Sequence, residues 1–154
     1  MCRVIQIPQN KKFTTAKLMK KTKEKDHYIK EIFKLEEVGE KVTVSALSKV
    51  FKVSKSSVSN MLKKLSLMEL VDTSPYKLIK LTSNGRKFAK EVVAKHRLIE
   101  SFLVEIMQFN PNEVHEIAEE IEHINSPVFF SKVRKMLKQD TTDPHGSNIP
   151  KTDF

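Results

Sequence analysis

Apolar residues recur at helical spacing from about position 26 onward. Tyr28, Ile29, Ile32, Phe33 and Leu35 form one stripe, which predicts a helix ending near Gly39. Ser45 is the expected N-cap of a second, short helix carrying Ala46, Leu47, Val50 and Phe51 on one face. After a turn at Lys52-Val53, Ser54 is the expected cap of a third helix over residues 55–67, with Val58, Met61, Leu62 and Leu65 inward. Two short helices joined by so few residues predict a helix-turn-helix. Leu70-Val71-Asp72 and the alternating run over residues 77–82 flank Thr73-Ser74-Pro75-Tyr76, which predicts a β-hairpin. A hairpin directly after a helix-turn-helix reads as the wing of a winged helix.

The second half continues in helices. Thr82 or Ser83 is expected to cap a long helix over residues 84–107, with Phe88, Val92, Ile99, Phe102, Leu103 and Ile106 as its apolar set. Asn110-Pro111-Asn112 breaks the chain before a helix that carries His115 to His123. A last helix is expected over residues 127–138, with Val128, Val133, Met136 and Leu137 inward, followed by an extended tail over 140–154. Residues 1–23 hold Lys11, Lys12, Lys17, Lys20, Lys21 and Lys23 with little periodicity and read as a mobile basic arm. The fold class is mainly α. A winged helix-turn-helix is expected over residues 24–90 and an all-helical unit with an extended tail over 91–154.

Composition narrows the function classes. A hydrophobic content of 39% supplies a real core and argues against wholesale disorder. No apolar run approaches the roughly 18 residues that span a bilayer, and the start lacks the apolar stretch of a secretory signal, so a cytoplasmic protein is expected. The single cysteine, Cys2, excludes an internal disulfide framework and a Cys-based zinc site. Net charge is +9, unevenly spread: residues 1–90 carry 21 Lys/Arg against 8 Asp/Glu, and residues 91–154 carry 7 against 11. A basic first half points to a polyanion such as DNA or RNA, and an acidic, His-containing second half points to a cation.

Two sets of residues carry that chemistry. On the third helix, Ser56, Ser57, Ser59 and Asn60 offer short polar groups suited to base edges or phosphates in the major groove. Lys55, Lys63 and Lys64 flank them, and Tyr76 and Lys77 stand in the wing. On a helical wheel His115, Glu119, Glu122 and His123 fall within an arc of roughly 100°, beside an apolar arc of Val114, Ile117, Ala118, Ile121 and Ile124. On the preceding long helix His96 and Glu100 share a face. Imidazoles and carboxylates so grouped suit Mn²⁺, Fe²⁺, Co²⁺ or Zn²⁺, and equally suit salt bridges on a solvated face. The metalloprotease order His-Glu-x-x-His is missing, and no Ser or Cys nucleophile arrangement exists, which argues against a small metallohydrolase.

The run Val58-Ser59-Asn60-Met61-Leu62-Lys63-Lys64-Leu65 resembles the diphtheria toxin repressor family. So do Leu81-Thr82-Ser83-Asn84-Gly85 and Lys95-His96-Arg97-Leu98-Ile99-Glu100-Ser101-Phe102-Leu103. The same holds for Glu113-Val114-His115, for Glu119-Glu120-Ile121-Glu122-His123 and for Pro144-His145-Gly146-Ser147-Asn148-Ile149-Pro150. The resemblance spans about residues 24–150. It implies an iron- or manganese-dependent repressor, with a winged helix followed by a helical dimerisation and metal-binding domain. It implies a primary metal site of Glu119, Glu122 and His123 completed from the first helix by His27, and an ancillary site of His96, Glu100 and His115. His27 departs from the family, which shows Met in iron-type and Asp in manganese-type members, and Asp26 is the other candidate for that position. Lys30 stands where manganese-type members place a second carboxylate, whereas Glu119 is the manganese-type choice at a position where iron-type members often have Cys. The resemblance ends before the SH3-like third domain of longer members.

The expected protein is thus a metal-dependent transcriptional repressor. It binds double-stranded operator DNA as a homodimer when loaded with Mn²⁺ or Fe²⁺ (Co²⁺, Ni²⁺ or Zn²⁺ serving in vitro) and controls metal-uptake genes. Neither a membrane nor a small-molecule substrate is expected as partner, and no enzymatic activity. The alternative is a winged-helix DNA-binding regulator whose His/Glu faces are only salt bridges.

Overall fold

The computed structural model describes the backbone of residues 9–74 and 78–154, and side chains from residue 23 onward. Among the described residues the elements are α1 (Gln9–Glu37), α2 (Val44–Phe51), α3 (Lys55–Leu67), β1 (Val71–Asp72), β2 (Lys80–Leu81), α4 (Ser83–Glu105), α5 (Val114–Ile121) and α6 (Pro127–Met136).

Helix α1 begins well before the apolar stripe, within the segment expected as a basic arm. Residues 9–23 are its first turns, and residues 1–8 lie outside the described residues. Lys, Leu, Met and Ala are good helix formers, and each residue added to an existing helix gains a hydrogen bond without new nucleation. Apolar periodicity reports burial rather than helicity, so this extension left no trace in the pattern.

Thr43, not Ser45, caps α2: its backbone is extended and its Oγ1 accepts from the Ala46 N–H at 3.1 Å. The run Val42-Thr43-Val44 looks like a strand, but only Val42 pairs in that manner, accepting from the Ile79 N–H at 3.1 Å. Lys52, in the left-handed region at φ 52°, turns the chain from α2 toward α3. Ser54 caps α3 as expected, accepting from the Ser57 N–H at 3.2 Å. The wing is short. Val71 pairs with Leu81 and Asp72 with Lys80, antiparallel, and its tip, residues 75–77, lies outside the described residues.

Helix α4 is the spine of the molecule. Its Ala89 and Val93 belong to a first apolar cluster with Tyr28, Ile29, Ile32 and Phe33 of α1, Leu47 of α2, Val58, Leu62 and Leu65 of α3, and the wing. Its Ala94, Leu98, Ile99 and Leu103 belong to a second, with Val114 and Ala118 of α5, Phe130 and Val133 of α6, and Ile149 of the tail. Helix α1 packs along α4 and is tied to it by ion pairs of Arg86 with Glu36 and Arg97 with Glu37. Tyr28 of α1 stacks on Phe51 of α2 with ring centroids 4.2 Å apart, which seats the helix-turn-helix on α1.

Gly85 sets how closely α4 approaches the wing, because a Cβ there would lie 1.8 Å from the carbonyl oxygen of Leu70. That oxygen accepts from the Thr82 N–H at 3.1 Å, and Thr82 caps α4, so neither side can give way cheaply. Gly85→Ala is expected to destabilise the protein by about 3 kcal/mol. Urea unfolding checks this, and a midpoint unchanged from wild type would show that the wing can shift.

Several apolar assignments in the second half need correction. Val128 and Met136 of α6 are 67% and 54% exposed, Val133 is buried as expected, and Phe130 is buried in addition. Ile106 is also exposed, because α4 ends at Glu105 and the chain turns there, Phe109 N–H bonding the Leu103 carbonyl at 3.0 Å. Helix α5 ends at Ile121. The Glu122 N–H still bonds the Ala118 carbonyl, but His123 and Ile124 leave the helix, and Ile124 is exposed.

Candidate metal centre

Three parts of the chain converge where α1 crosses α4 and the end of α5. Helix α1 presents Asp26, His27 and Lys30, α4 presents His96 and Glu100, and α5 with its exit presents His115, Glu119, Glu122 and His123. The apolar stripes beside these residues fill the two cores, which brings the polar positions one step round each helix into the seam between them.

Glu122 is the junction of the seam, with a fully buried side chain. Its carboxylate accepts from Lys30 Nζ at 3.0 and 3.1 Å and bonds His96 Nδ1 at 2.6 Å. Burial alone would raise its pKa, but His96 and the Lys30 charge hold it below the ordinary carboxylate range. Lys30 is itself buried and also donates to Glu119 Oε1 at 3.2 Å. Glu119 is likewise lowered, its partial burial outweighed by Lys30, His27 and His115.

Around this junction lie the ligand-type groups. The donor atoms of His27, Glu122 and His123 all fall within 4.8 Å of one another, and those of His96, Glu100 and His115 do the same. His96 Nε2 lies 3.0 Å from Glu100 Oε1 and 3.1 Å from His115 Nδ1. Burial pushes the His27 imidazole below its usual value, with the Lys30 charge adding to it. Burial would also lower His96, but its bonds to Glu100 and Glu122 prevail and raise it. Glu100 is buried too, yet His96 and His115 bring it down to about 2.

The seven residues expected as metal ligands therefore meet in one region, His96, Glu100 and His115 in one group and His27, Glu122 and His123 in another. Glu119 lies between the two groups, its Oε1 3.7 Å from His27 Nε2 and 3.5 Å from His115 Nε2. Glu122 leans toward His96 as well as toward His123, whose Nε2 is 3.8 Å from Glu122 Oε1. Asp26, the other first-helix candidate, bonds His123 Nδ1 at 3.1 Å through Oδ2.

A divalent cation fits this donor set. His123 Nε2 is buried with no hydrogen-bond partner, and Asp26 Oδ1, also without one, has the Lys25 ammonium at 3.6 Å. Leaving a buried polar atom unpaired costs about 1–3 kcal/mol, so such atoms facing a His/carboxylate seam mark a place for a further electron-pair acceptor.

Two residues that the sequence reading passed over enter the region. Asp143 and His145 of the tail form a third group with Glu100. The only signal was a His beside Pro and Gly in the tail, and nothing in periodicity connects residue 145 with residue 100.

The recognition helix keeps the expected face outward. Lys55, Ser56, Ser57, Asn60, Lys63 and Lys64 are exposed and Ser59 is half-buried. Ser56 and Ser57 hydroxyls each lie 2.9 Å from Ser54 Oγ, so the N-terminal hydroxyls form one cluster. Tyr76 and Lys77 lie outside the described residues.

A winged helix is thus joined through one long helix to a helical unit with clustered His and carboxylate donors. Residues 20–79 match the N-terminal DNA-binding domain of iron-dependent repressors, and residues 82–151 match their metal-binding and dimerisation domain. The chain belongs to the iron-dependent repressor family.

It is 30% identical to the diphtheria toxin repressor of Corynebacterium diphtheriae over 82% of this chain and 56% of that one. It is 45% identical over 71 residues to a probable metal transport system membrane protein of Chlamydia trachomatis, covering 46% of this chain and 16% of that one. A solved manganese-dependent transcriptional repressor in complex with manganese superposes with a TM-score of 0.76 at 35% identity, over 84% of this chain and 59% of that one. The chain thus spans little more than half the length of the repressors it matches, and far less of the transport protein. These repressor relatives are not enzymes. No helix among the described residues is long and apolar enough to cross a membrane.

Proposed function

We propose that the chain acts in the cytoplasm as a metal-activated transcriptional repressor. It binds double-stranded operator DNA as a homodimer when loaded with Mn²⁺ or Fe²⁺ and controls genes for metal uptake. One observation carries this reading: His27 of the DNA-binding half meets Glu122 and His123 of the other half, where the buried His123 Nε2 has no hydrogen-bond partner. His27, Glu122 and His123 would hold one ion, with Asp26 and Glu119 flanking, and His96, Glu100 and His115 a second. A bound divalent ion supplies positive charge and directed bonds between the two halves.

Helix α1 carries the helix-turn-helix through Tyr28 and Phe51, so restraining His27 restrains how α3 is presented. Lysines 55, 63 and 64 attract phosphate, and Ser56, Ser57, Ser59 and Asn60 stand where base edges would lie. The exposed apolar side chains of Ile106, Met107, Val128, Phe129 and Met136 support a self-association face at the end of α4 and on α6.

Selection from a random duplex pool, run with Mn²⁺ and again with chelator, tests the reading. A two-fold symmetric site is expected to emerge only with metal, and its binding to weaken steeply as salt rises. Equal enrichment in chelator would leave a winged-helix regulator that does not sense metal, and a flat salt response would remove the basic half as the DNA surface.

A further inference from the structure

Helix α1 ends in two glutamates that point to different partners. Glu37 turns to Arg97 of α4, bonded at 2.8 and 3.3 Å. Glu36 turns to the wing. Its Oε1 accepts from the backbone N–H of Leu81 in β2 at 3.1 Å, and its Oε2 pairs with the Arg86 guanidinium in the first turn of α4.

The Leu81 bond lies on the outer edge of the wing. Alternate residues of a strand aim their N–H groups at the same edge. Ile79, two residues back, donates to the carbonyl of Val42, in the loop after α1, at 3.1 Å. A hairpin with two paired residues on each side is too short to hold its own direction. The side chains of Ile79 and Leu81 root it in the first apolar cluster. Beside that root a cleft of about 320 Å³, lined by Glu36, Gly39, Leu78 and Lys80, opens between the end of α1 and the strand. On this side polar links rather than close packing aim the wing.

Glu36 is suited to that task. Its side chain is only 16% exposed, so its charge is screened less than that of a surface carboxylate, and an ionised oxygen is a stronger acceptor than a neutral one. Arg86 holds the second oxygen and thereby fixes the direction of the first. The carboxylate ties α1, β2 and α4 at one point.

The same helix carries the other attachments of the DNA-binding half. His27 faces the seam of ligand-type residues, and Tyr28 stacks on Phe51 of the helix-turn-helix. Glu36 follows His27 by about 13.5 Å along the helix, at 1.5 Å per residue. A rod of roughly two and a half turns therefore joins the seam to the wing.

We propose that Glu36 is a positioning residue for DNA binding. It passes the placement of α1 to the wing, so that one helix sets both the recognition helix and the wing on the duplex. The proposal rests on the reading that the wing meets DNA phosphate.

The test compares Glu36→Ala and Glu36→Gln with wild type, as Mn²⁺-loaded full chains, on the duplex that wild type selects and across a salt series. Alanine removes both links, whereas glutamine keeps an acceptor for Leu81 and loses the charge that holds Arg86. Glu36→Ala is expected to bind about tenfold more weakly, with a salt slope smaller by about one phosphate contact. Its Leu81 amide should lose protection from hydrogen exchange, its Mn²⁺ affinity should stay that of wild type, and Glu36→Gln should fall between. Lys77→Ala reports the wing: added to Glu36→Ala it should cost little more, while Lys63→Ala on α3 should add in full. If Glu36→Ala fails to fold, Glu36→Gln carries the same comparisons. Exposure of the Leu81 amide with the affinity and salt slope of wild type would overturn the proposal and leave Glu36 a stabiliser of the fold. Full additivity with Lys77→Ala would overturn it too. If Lys77→Ala alone changes neither affinity nor salt slope, the wing does not meet phosphate, and that reading fails together with the proposal.

Discussion

Lys30→Met is expected to destabilise the metal-free protein by about 3 kcal/mol while enlarging the stabilisation that Mn²⁺ confers. The Lys30 ammonium is buried between Glu119 and Glu122, bonded to the first at 3.2 Å and the second at 3.0 Å. Removing one member of a buried ion pair leaves the other uncompensated, which costs about 3–5 kcal/mol. The lower end applies because His96 still bonds Glu122. Methionine keeps the length and apolar stem of lysine, so the loss isolates the charge. The same loss frees two carboxylates for an external cation, and ligand binding stabilises in proportion to its affinity. Thermal melts of metal-free and Mn²⁺-loaded protein read both effects. A variant as stable as wild type without metal would show that Lys30 is not the internal counter-cation of the seam.

Glu122→Gln should lower Mn²⁺ affinity on the order of 100-fold, the upper end of what changing a group that only orients a ligand costs. Glutamine keeps the shape of glutamate but loses its charge, and one of its terminal atoms becomes a donor that repels Lys30 Nζ. Among the described residues Glu122 is the carboxylate that reaches both ways, 2.6 Å from His96 and 3.8 Å from His123. The substitution therefore weakens the first cluster directly and the second through His96. Calorimetry on the full chain measures this. Unchanged affinity would mean that Glu122 serves only as the counter-ion of Lys30.

The resemblance put Lys30 where a second carboxylate is expected, but the pairing behind the first of these results was not legible. Lys30 falls on α1 next to Ile29, and nothing in a helical wheel says whether a lysine there reaches solvent or a carboxylate about ninety residues away. The donor types were legible because His and Glu at helical spacing place ligand atoms on one face whatever the tertiary contacts. A wheel alone could not show their partition, that Glu119 lies between the clusters and that Glu122 is shared, because both depend on where α1 and α4 lie against α5. Asp26 was named only as an alternative to His27, whereas the structure puts its carboxylate on His123.

Local chemistry was enough for much of the architecture. The Ser54 cap and the stripe of Val58, Met61, Leu62 and Leu65 define α3 with no help from the rest of the chain, and Thr82 does the same for the start of α4. Hydrogen bonds to caps and apolar spacing act within a few residues, so they can be read in order along the chain. What only the tertiary structure decided are contacts whose members are far apart in sequence: Lys30 with Glu122, Asp26 with His123, and His145 with Glu100. These depend on how α1 and the tail lie against α4, and that is set by the packing of two apolar cores rather than by the polar residues themselves.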